Sequence, residues 1–279
     1  MSLGRSKNFI GKGGPRLYKS GPSGNANDPD VQAYLNRLST QPSAANIAVL
    51  NTWVGMLKTA IGSSNLATAF DYIGLRAIAS AADSLLNFMS ANHSAAYAGG
   101  LSASDWVANQ GFTTDGTAKR LLVDYNPSTE GVNYQLNNAS LFVYMHAYTN
   151  VPGRCLIGLT DNTGSHYTEN RIGATNQEVN VTTGAANADT FVKSRIVQRN
   201  SSTVIRVYND GAADTNNPIT SNSNTIPSAD ISEGAATFQT GAFGYSAGTF
   251  FATFCGRAFT DTEAQDIDAA FDYLYNNLT

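Results

Sequence analysis

The chain is predicted to be mainly β, a sandwich or barrel of short strands entered through a helical hairpin and closed by one amphipathic helix. Three observations predict this. From Phe70 onward, short extended runs alternate with Gly, Asn, Ser and Thr, the spacing of an all-β domain. Before and after that region, apolar residues recur at spacings of three and four, the period of a helix face. In the middle, residues 191–214 hold two β-branched runs flanking Asn200-Ser201-Ser202-Thr203 and ending in Asn209-Asp210-Gly211, the composition of a β-hairpin.

Residues 1–27 contain Arg5, Lys7, Lys12, Arg16 and Lys19, no acid, and many Gly, Ser, Asn and Pro around Phe9, Ile10, Leu17 and Tyr18. So little apolar surface does not fold alone, and the segment is expected to be an extended anchor peptide docking on another protein. It carries +5 of a chain whose net charge is −4, which leaves −9 for the rest. An acidic body argues against nucleic acid as the main partner. Asp28-Pro29 supplies an N-cap oxygen and a first-turn proline, and Val31, Leu35 and Leu38 follow on one stripe. After Gln41-Pro42-Ser43, the residues Ile47, Leu50, Val54, Leu57 and Ile61 form a second seam ending at Gly62. Residues 28–65 are therefore expected to be a helical hairpin, packed on the β body in preference to self-association, and residues 66–279 the β domain.

Strands are expected at Tyr72 to Ile78, Trp106 to Phe112, Arg120 to Tyr125, Ser140 to Tyr148, Cys155 to Thr160, Gln177 to Thr182, Phe238 to Phe243 and Thr249 to Arg257. With Ser201-Ser202 as the hairpin tip, Ile196 faces Val207 and Gln198 faces Ile205, while Arg195, Arg199, Arg206 and Tyr208 share the other side with Lys193. That side is expected to be an exposed basic surface contacting an anionic ligand such as an acidic glycan. Thr260-Asp-Thr-Glu263 reads as a capping box, and Ala264, Ile267, Phe271, Leu274 and Leu278 continue it as an amphipathic helix.

At 279 residues, 42% hydrophobic and 14% charged, the chain can build a real core beneath a surface of Asn, Ser, Thr and Gly. No apolar run is long enough to span a bilayer and no signal-peptide pattern opens the chain, so synthesis in the cytosol and a soluble product are expected. Cys155 and Cys255 are expected to be buried thiols, with a disulfide open only if their strands adjoin. Of the five Glu, Glu130 and Glu233 fall in Gly-rich turns, Glu263 caps a helix, and Glu169 and Glu178 have no acid beside them within a strand. The carboxylate pair of a glycosidase is therefore not apparent, and no hydrolase activity, cofactor or metal is expected. His93, His146 and His166 stand apart from any catalytic spacing. Asp210 and Asp214 make a weak calcium candidate better explained by turn chemistry. Tyr134, Tyr144, Tyr148, Tyr167, Tyr208 and Tyr245 are either sugar-stacking or core residues.

Three stretches carry a family resemblance. Asp28-Pro29-Asp30-Val31-Gln32-Ala33-Tyr34-Leu35, with Trp53, Leu57 and Lys58, resembles the helical lead-in of phage and prophage virion proteins. Asn109 to Gly116, running to Tyr125-Asn126-Pro127-Ser128, looks like an early strand pair of their concanavalin A-like (LamG-like, jelly-roll) lectin/glucanase β-sandwiches. Gly256 to Glu263 is similar to the final strand and closing helix of that group. The resemblance implies a virion surface protein made in the bacterial cytoplasm: a tail fibre, baseplate, collar or head-fibre component. It further implies a non-enzymatic receptor- or carbohydrate-binding sandwich, contacts with other virion proteins, and a trimer. A purely structural decoration or connector role is the alternative, and a glycoside hydrolase a second.

Overall fold

A computed structural model describes residues 26–151, 153–161, 167–171, 177–181, 193–238 and 241–279. Residues 1–25 of the expected anchor peptide, Phe191 and Val192 of the hairpin, His166, and the side chain of Tyr167 lie outside the described residues.

Two helices open the described chain, α1 (Pro29–Leu35) and α2 (Ala44–Ala60). Asp28 caps the first by accepting from Asp30 N, and Ser43 caps the second by accepting from Asn46 N. The strands follow: β1 (Phe70–Leu75), β2 (Ala95–Ala98), β3 (Trp106–Val107), β4 (Gly111–Asp115) and β5 (Arg120–Val123). A single turn of helix, α3 (Pro127–Glu130), precedes β6 (Ala139–Tyr148), β7 (Cys155–Thr160), β8 (Tyr167–Arg171) and β9 (Glu178–Val181). Then come β10 (Ser194–Ser201), β11 (Val204–Asn209), β12 (Ala212–Ala213), β13 (Ile219–Thr220), β14 (Ser232–Glu233), β15 (Ala236–Phe238), β16 (Gly241–Phe243) and β17 (Ala247–Gly256). Helix α4 (Asp261–Asn277) ends the series.

These strands form two sheets, a sandwich as expected. Sheet A runs β12-β11-β10-β6-β17-β4-β3, with β1 also on β17 and β13 on β11. Sheet B runs β16-β15-β7-β14-β5-β2, with β8 on β7 and β9 on β8. Side chains alternate along each strand, so sheet A feeds two cores. Leu141, Val143 and Met145 of β6 join Leu121, Val123, Ile157 and Leu159 of sheet B between the sheets. Phe142 and Tyr144 turn the other way, into a core shared with α1, α2 and α4. There Phe142 stacks on Phe254 at 4.6 Å and meets Phe271 of α4 at 4.6 Å, while Trp53 of α2 meets Phe271 edge-on at 5.5 Å. The helical hairpin thus packs on the sandwich, because its seam and the outer face of sheet A bury one another. No helix among the described residues is long and apolar enough to cross a membrane.

Several strand limits shift. The run from Trp106 to Phe112 is broken by a turn at 108–110, and β4 begins at Gly111, whose φ of +108° takes the backbone where only glycine is comfortable. A Cβ there would stand 1.8 Å from the carbonyl oxygen of Phe250. The expected hairpin register is also off by one. The structure pairs Ile196 with Tyr208, Val197 with Val207 and Arg199 with Ile205, then Ser201 with Val204. Asn200 is the extra residue of a bulge, and one extra residue moves every partner to the opposite face.

Candidate functional site

That slip decides where the expected ligand-binding residues go. Arg195 and Arg199 share a face with Val197, Ile205 and Val207, the face buried between the sheets, and both arginines are 0% exposed. Arg195 donates to Asn209 Oδ1 and to the carbonyl of Arg171. Arg199 donates to the carbonyls of Val179 and Ser221 at 2.7 Å each, and burial pushes it down to about 10. Tyr208 is also buried, under α4, and its hydroxyl donates to Asp261 at 2.7 Å. Lys193 is half-buried, held by Asp272 at 2.8 Å with its ammonium over the rings of Tyr144 and Tyr275. The single exposed basic face is therefore corrected: its cations divide between the interior and the helix side. Of the five, Arg206 alone lines the cleft described next.

That cleft, of about 570 Å³, lies where α4 begins beside the ends of β10, β11 and β17. The capping box builds its floor. Thr260 Oγ1 accepts from Glu263 N at 3.2 Å, and Glu263 Oε2 accepts from Thr260 N at 2.7 Å. Arg257, just past β17, grips the same carboxylate with both guanidinium nitrogens at 2.6 and 3.2 Å and lies 5.0 Å over the ring of Phe259. Burial raises the Glu263 carboxyl, but these bonds outweigh it and hold the group below its ordinary value. On the opposite wall Arg206 donates to Asp261 at 3.2 Å. Asn138 enters from the turn before β6 and accepts from Ala258 N at 2.8 Å, and Asn200 enters from the hairpin bulge.

What this lining leaves unused defines its chemistry. Asn200 and Thr262 are exposed, and their side chains have no hydrogen-bond partner among the described residues. The amide nitrogen of Asn138 and the second carboxylate oxygen of Asp261 are likewise unpaired, and Arg206 Nε is buried without a partner. Donors and acceptors are thus interleaved on one concave wall.

A second acidic group corrects the expectation that Glu169 and Glu178 stand alone. Strands β8 and β9 pair Glu169 directly opposite Glu178. The amide of Asn170 reaches the carbonyl of Arg195 in sheet A, so Glu169 and Arg171 point to the outer face of sheet B. The two carboxylates are 0% and 2% exposed and share one cation, Arg171, which contacts Glu169 and lies 3.6 Å from Glu178. Burial, followed by the charge of Glu178 against the opposing pull of Arg171, pushes Glu169 up to about 8, and burial raises Glu178. Gly158 is the residue opposite Glu169 on β7, and a Cβ there would stand 3.0 Å from the Glu169 side chain.

Glu233 is also corrected. It belongs to β14, is fully buried, and binds Arg76 at 2.6 Å and Thr253 Oγ1 at 2.7 Å. The weak calcium candidates are occupied by protein donors, Asp210 by those at the start of β10 and Asp214 by those in its own turn. Asp210 accepts from Ser194 N at 2.9 Å, and Asp214 accepts from Asn216 N at 2.9 Å and Asn209 Nδ2 at 3.0 Å. Among the described residues no group of three His, Cys, Asp or Glu is placed to hold a metal ion. His93 bonds the carbonyl of Asp124 and His146 the hydroxyl of Tyr275. Cys155 and Cys255 are buried free thiols in different sheets. Tyr134 and Tyr144 are core residues, while Tyr148 and Tyr245 are half-buried.

No family model matches this chain, and no curated protein matches it. Solved structures share its outline at low identity. A Trypanosoma rangeli sialidase in complex with 2,3-difluorosialic acid is 10% identical at a TM-score of 0.47, covering 82% of this chain and 39% of that one. Domain 4 of a GH43 extracellular arabinanase from Geobacillus stearothermophilus, in complex with arabinotriose, is 12% identical at a TM-score of 0.38, covering 66% and 92%. A Ruminococcus gnavus sialidase CBM40 bound to α2,6-sialyllactose is 12% identical at 0.38, covering 57% and 96%. This chain spans about two fifths of the length of the Trypanosoma sialidase it matches.

Proposed function

We propose that the chain is a non-enzymatic β-sandwich of a phage virion surface protein that holds a host-surface glycan in the cleft beside α4. The observation that carries this reading is the interleaved set of unpaired donors and acceptors on that wall. A sugar hydroxyl both donates and accepts, and such a lining serves it on both counts. A binding role is favoured over hydrolysis by the state of the carboxylates. Glycoside cleavage needs one protonated and one ionised carboxyl flanking the bond. In the cleft Glu263 is held ionised by Arg257 and its own cap, and the acid pair that does retain a proton, Glu169 with Glu178, is shut away from solvent. The cationic leader supports attachment to an acidic neighbouring virion protein, given its +5 charge.

The test uses the full-length protein on host cells and on isolated envelope polysaccharide. Saturable binding without release of reducing ends is expected. Deleting residues 1–27 should leave that binding intact while abolishing incorporation into particles. Turnover of the polysaccharide would overturn the non-enzymatic reading, and normal incorporation of the truncated chain would overturn the anchor.

A further inference from the structure

From the cleft's charge balance we infer that its ligand is a neutral, hydroxyl-rich sugar and not an acidic one. The inference rests on the glycan-binding reading above and narrows it to a ligand class. Both guanidinium groups in the cleft already face a carboxylate: Arg206 meets Asp261 at 3.2 Å, and Arg257 meets Glu263 at 2.6 Å in a two-pronged contact. The lining therefore sums to zero charge. An anionic sugar would have to displace one of these carboxylates or lie against it, and like charges in contact oppose binding. A neutral sugar meets no such opposition. Its hydroxyls find the free oxygen of Asp261 as acceptor, Asn138 Nδ2 as donor, and Asn200 and Thr262 as both. The carboxylates also fix their arginines, so this wall of the cleft is held in place before the ligand arrives.

The decisive measurement is titration calorimetry of the full chain against matched panels. One panel holds neutral gluco-, galacto-, manno- and rhamno-oligosaccharides, and the other holds uronate- and sialate-bearing counterparts, each run from low to high salt. A neutral oligosaccharide should bind with an affinity that is flat across the salt series, because no net charge is screened. Asn200→Ala/Thr262→Ala should weaken it about tenfold, the loss of roughly two hydrogen bonds. Both side chains are exposed and bond nothing else among the described residues, so this variant keeps the fold. Asp261→Asn, which leaves Arg206 uncompensated, should move preference toward the acidic panel.

Salt-sensitive binding of an acidic sugar by the wild-type chain, weakened by the same double substitution, would overturn the neutral class and leave the cleft as the glycan site. Neutral binding untouched by the double substitution would remove the cleft from the proposal. Failure of every sugar to bind would overturn the glycan reading itself.

Discussion

Two pairs of carboxylates in this molecule sit beside arginine in opposite settings. At the mouth of the cleft, Asp261 and Glu263 each have a guanidinium of their own, and both retain contact with solvent. On sheet B, Glu169 and Glu178 share Arg171 and are buried. The Glu263 carboxyl is held down and the Glu169 carboxyl is pushed up to about 8. Proximity to arginine therefore does not by itself set the sign. The ratio of cations to acids and the water left around them do, since an unshared buried charge is too expensive to keep. The Arg257 contact and the cap keep the Glu263 carboxyl ionised, whereas the buried pair on sheet B retains a proton.

Removing the shared cation should produce the largest effect. Arg171→Met leaves two buried carboxyls with no counter-charge among the described residues, and breaking a buried pair in this way costs about 3–5 kcal/mol. Urea unfolding should show that loss near pH 8 and a clearly smaller one near pH 5, where Glu169 holds its proton. An equal loss at both values would mean that Arg171 works by packing alone. Next comes the proton itself. A carboxyl whose folded value lies above its ordinary 4.5 binds a proton in the folded state that the unfolded chain has released, so stability is full below 4.5 and declines as pH rises toward about 8. Glu169→Gln should flatten that decline by up to a few kcal/mol, at about 1.4 kcal/mol for each pH unit separating the folded and unfolded values. Part of the slope should persist, because burial also pushes Asp268, beneath Ser194, up to about 7. A Glu169→Gln profile superimposed on wild type would exclude the shared proton.

The sequence announced the local features and hid the non-local ones. Asp28-Pro29, the seam from Leu50 to Leu57 and the Thr260–Glu263 box each lie within one helix, and each forms as expected because its partners are a few residues apart. The hairpin between β10 and β11 was legible as an element, but its register hung on whether Asn200 was paired or bulged. Nothing in Asn-Ser-Ser-Thr distinguishes those two turns, and the wrong choice carried Arg195 and Arg199 from the interior to the surface. The pairing of Glu169 with Glu178 was invisible for a related reason. Each acid is alone along its own strand, and only strand pairing brings them together. The cleft gathers Asn138, Asn200, Arg206 and Asp261 from four separate segments, so no motif could mark it. Of its lining, Arg206 was readable as a ligand-binding candidate on a different face, and Thr260 and Glu263 as a helix cap; none was readable as a wall of this cleft.

Glu263 gives the smallest and most discriminating prediction. Glu263→Ala removes the carboxylate half of the capping box and the partner of Arg257, while Thr260 keeps its bond to the backbone at position 263. Losing such a cap component costs about 0.3–1.5 kcal/mol, and the half-exposed setting of the ion pair adds little to that. The sign with pH is the reverse of Glu169. A carboxyl held below its ordinary value contributes stability above about 4.5, and the contribution disappears as pH falls through the folded value. Thermal unfolding should therefore separate wild type from Glu263→Ala at pH 7 and bring them together in strong acid. A gap that persists in acid would assign the effect to lost packing or hydrogen bonding of the neutral side chain, since helix propensity favours alanine over glutamate at every pH. The same variant leaves Arg257 over Phe259 without its carboxylate, making the cleft net positive by the route opposite to Asp261→Asn. If acidic sugars gain affinity in both variants while stability falls only slightly, charge balance and not shape is what excludes them from the wild-type cleft.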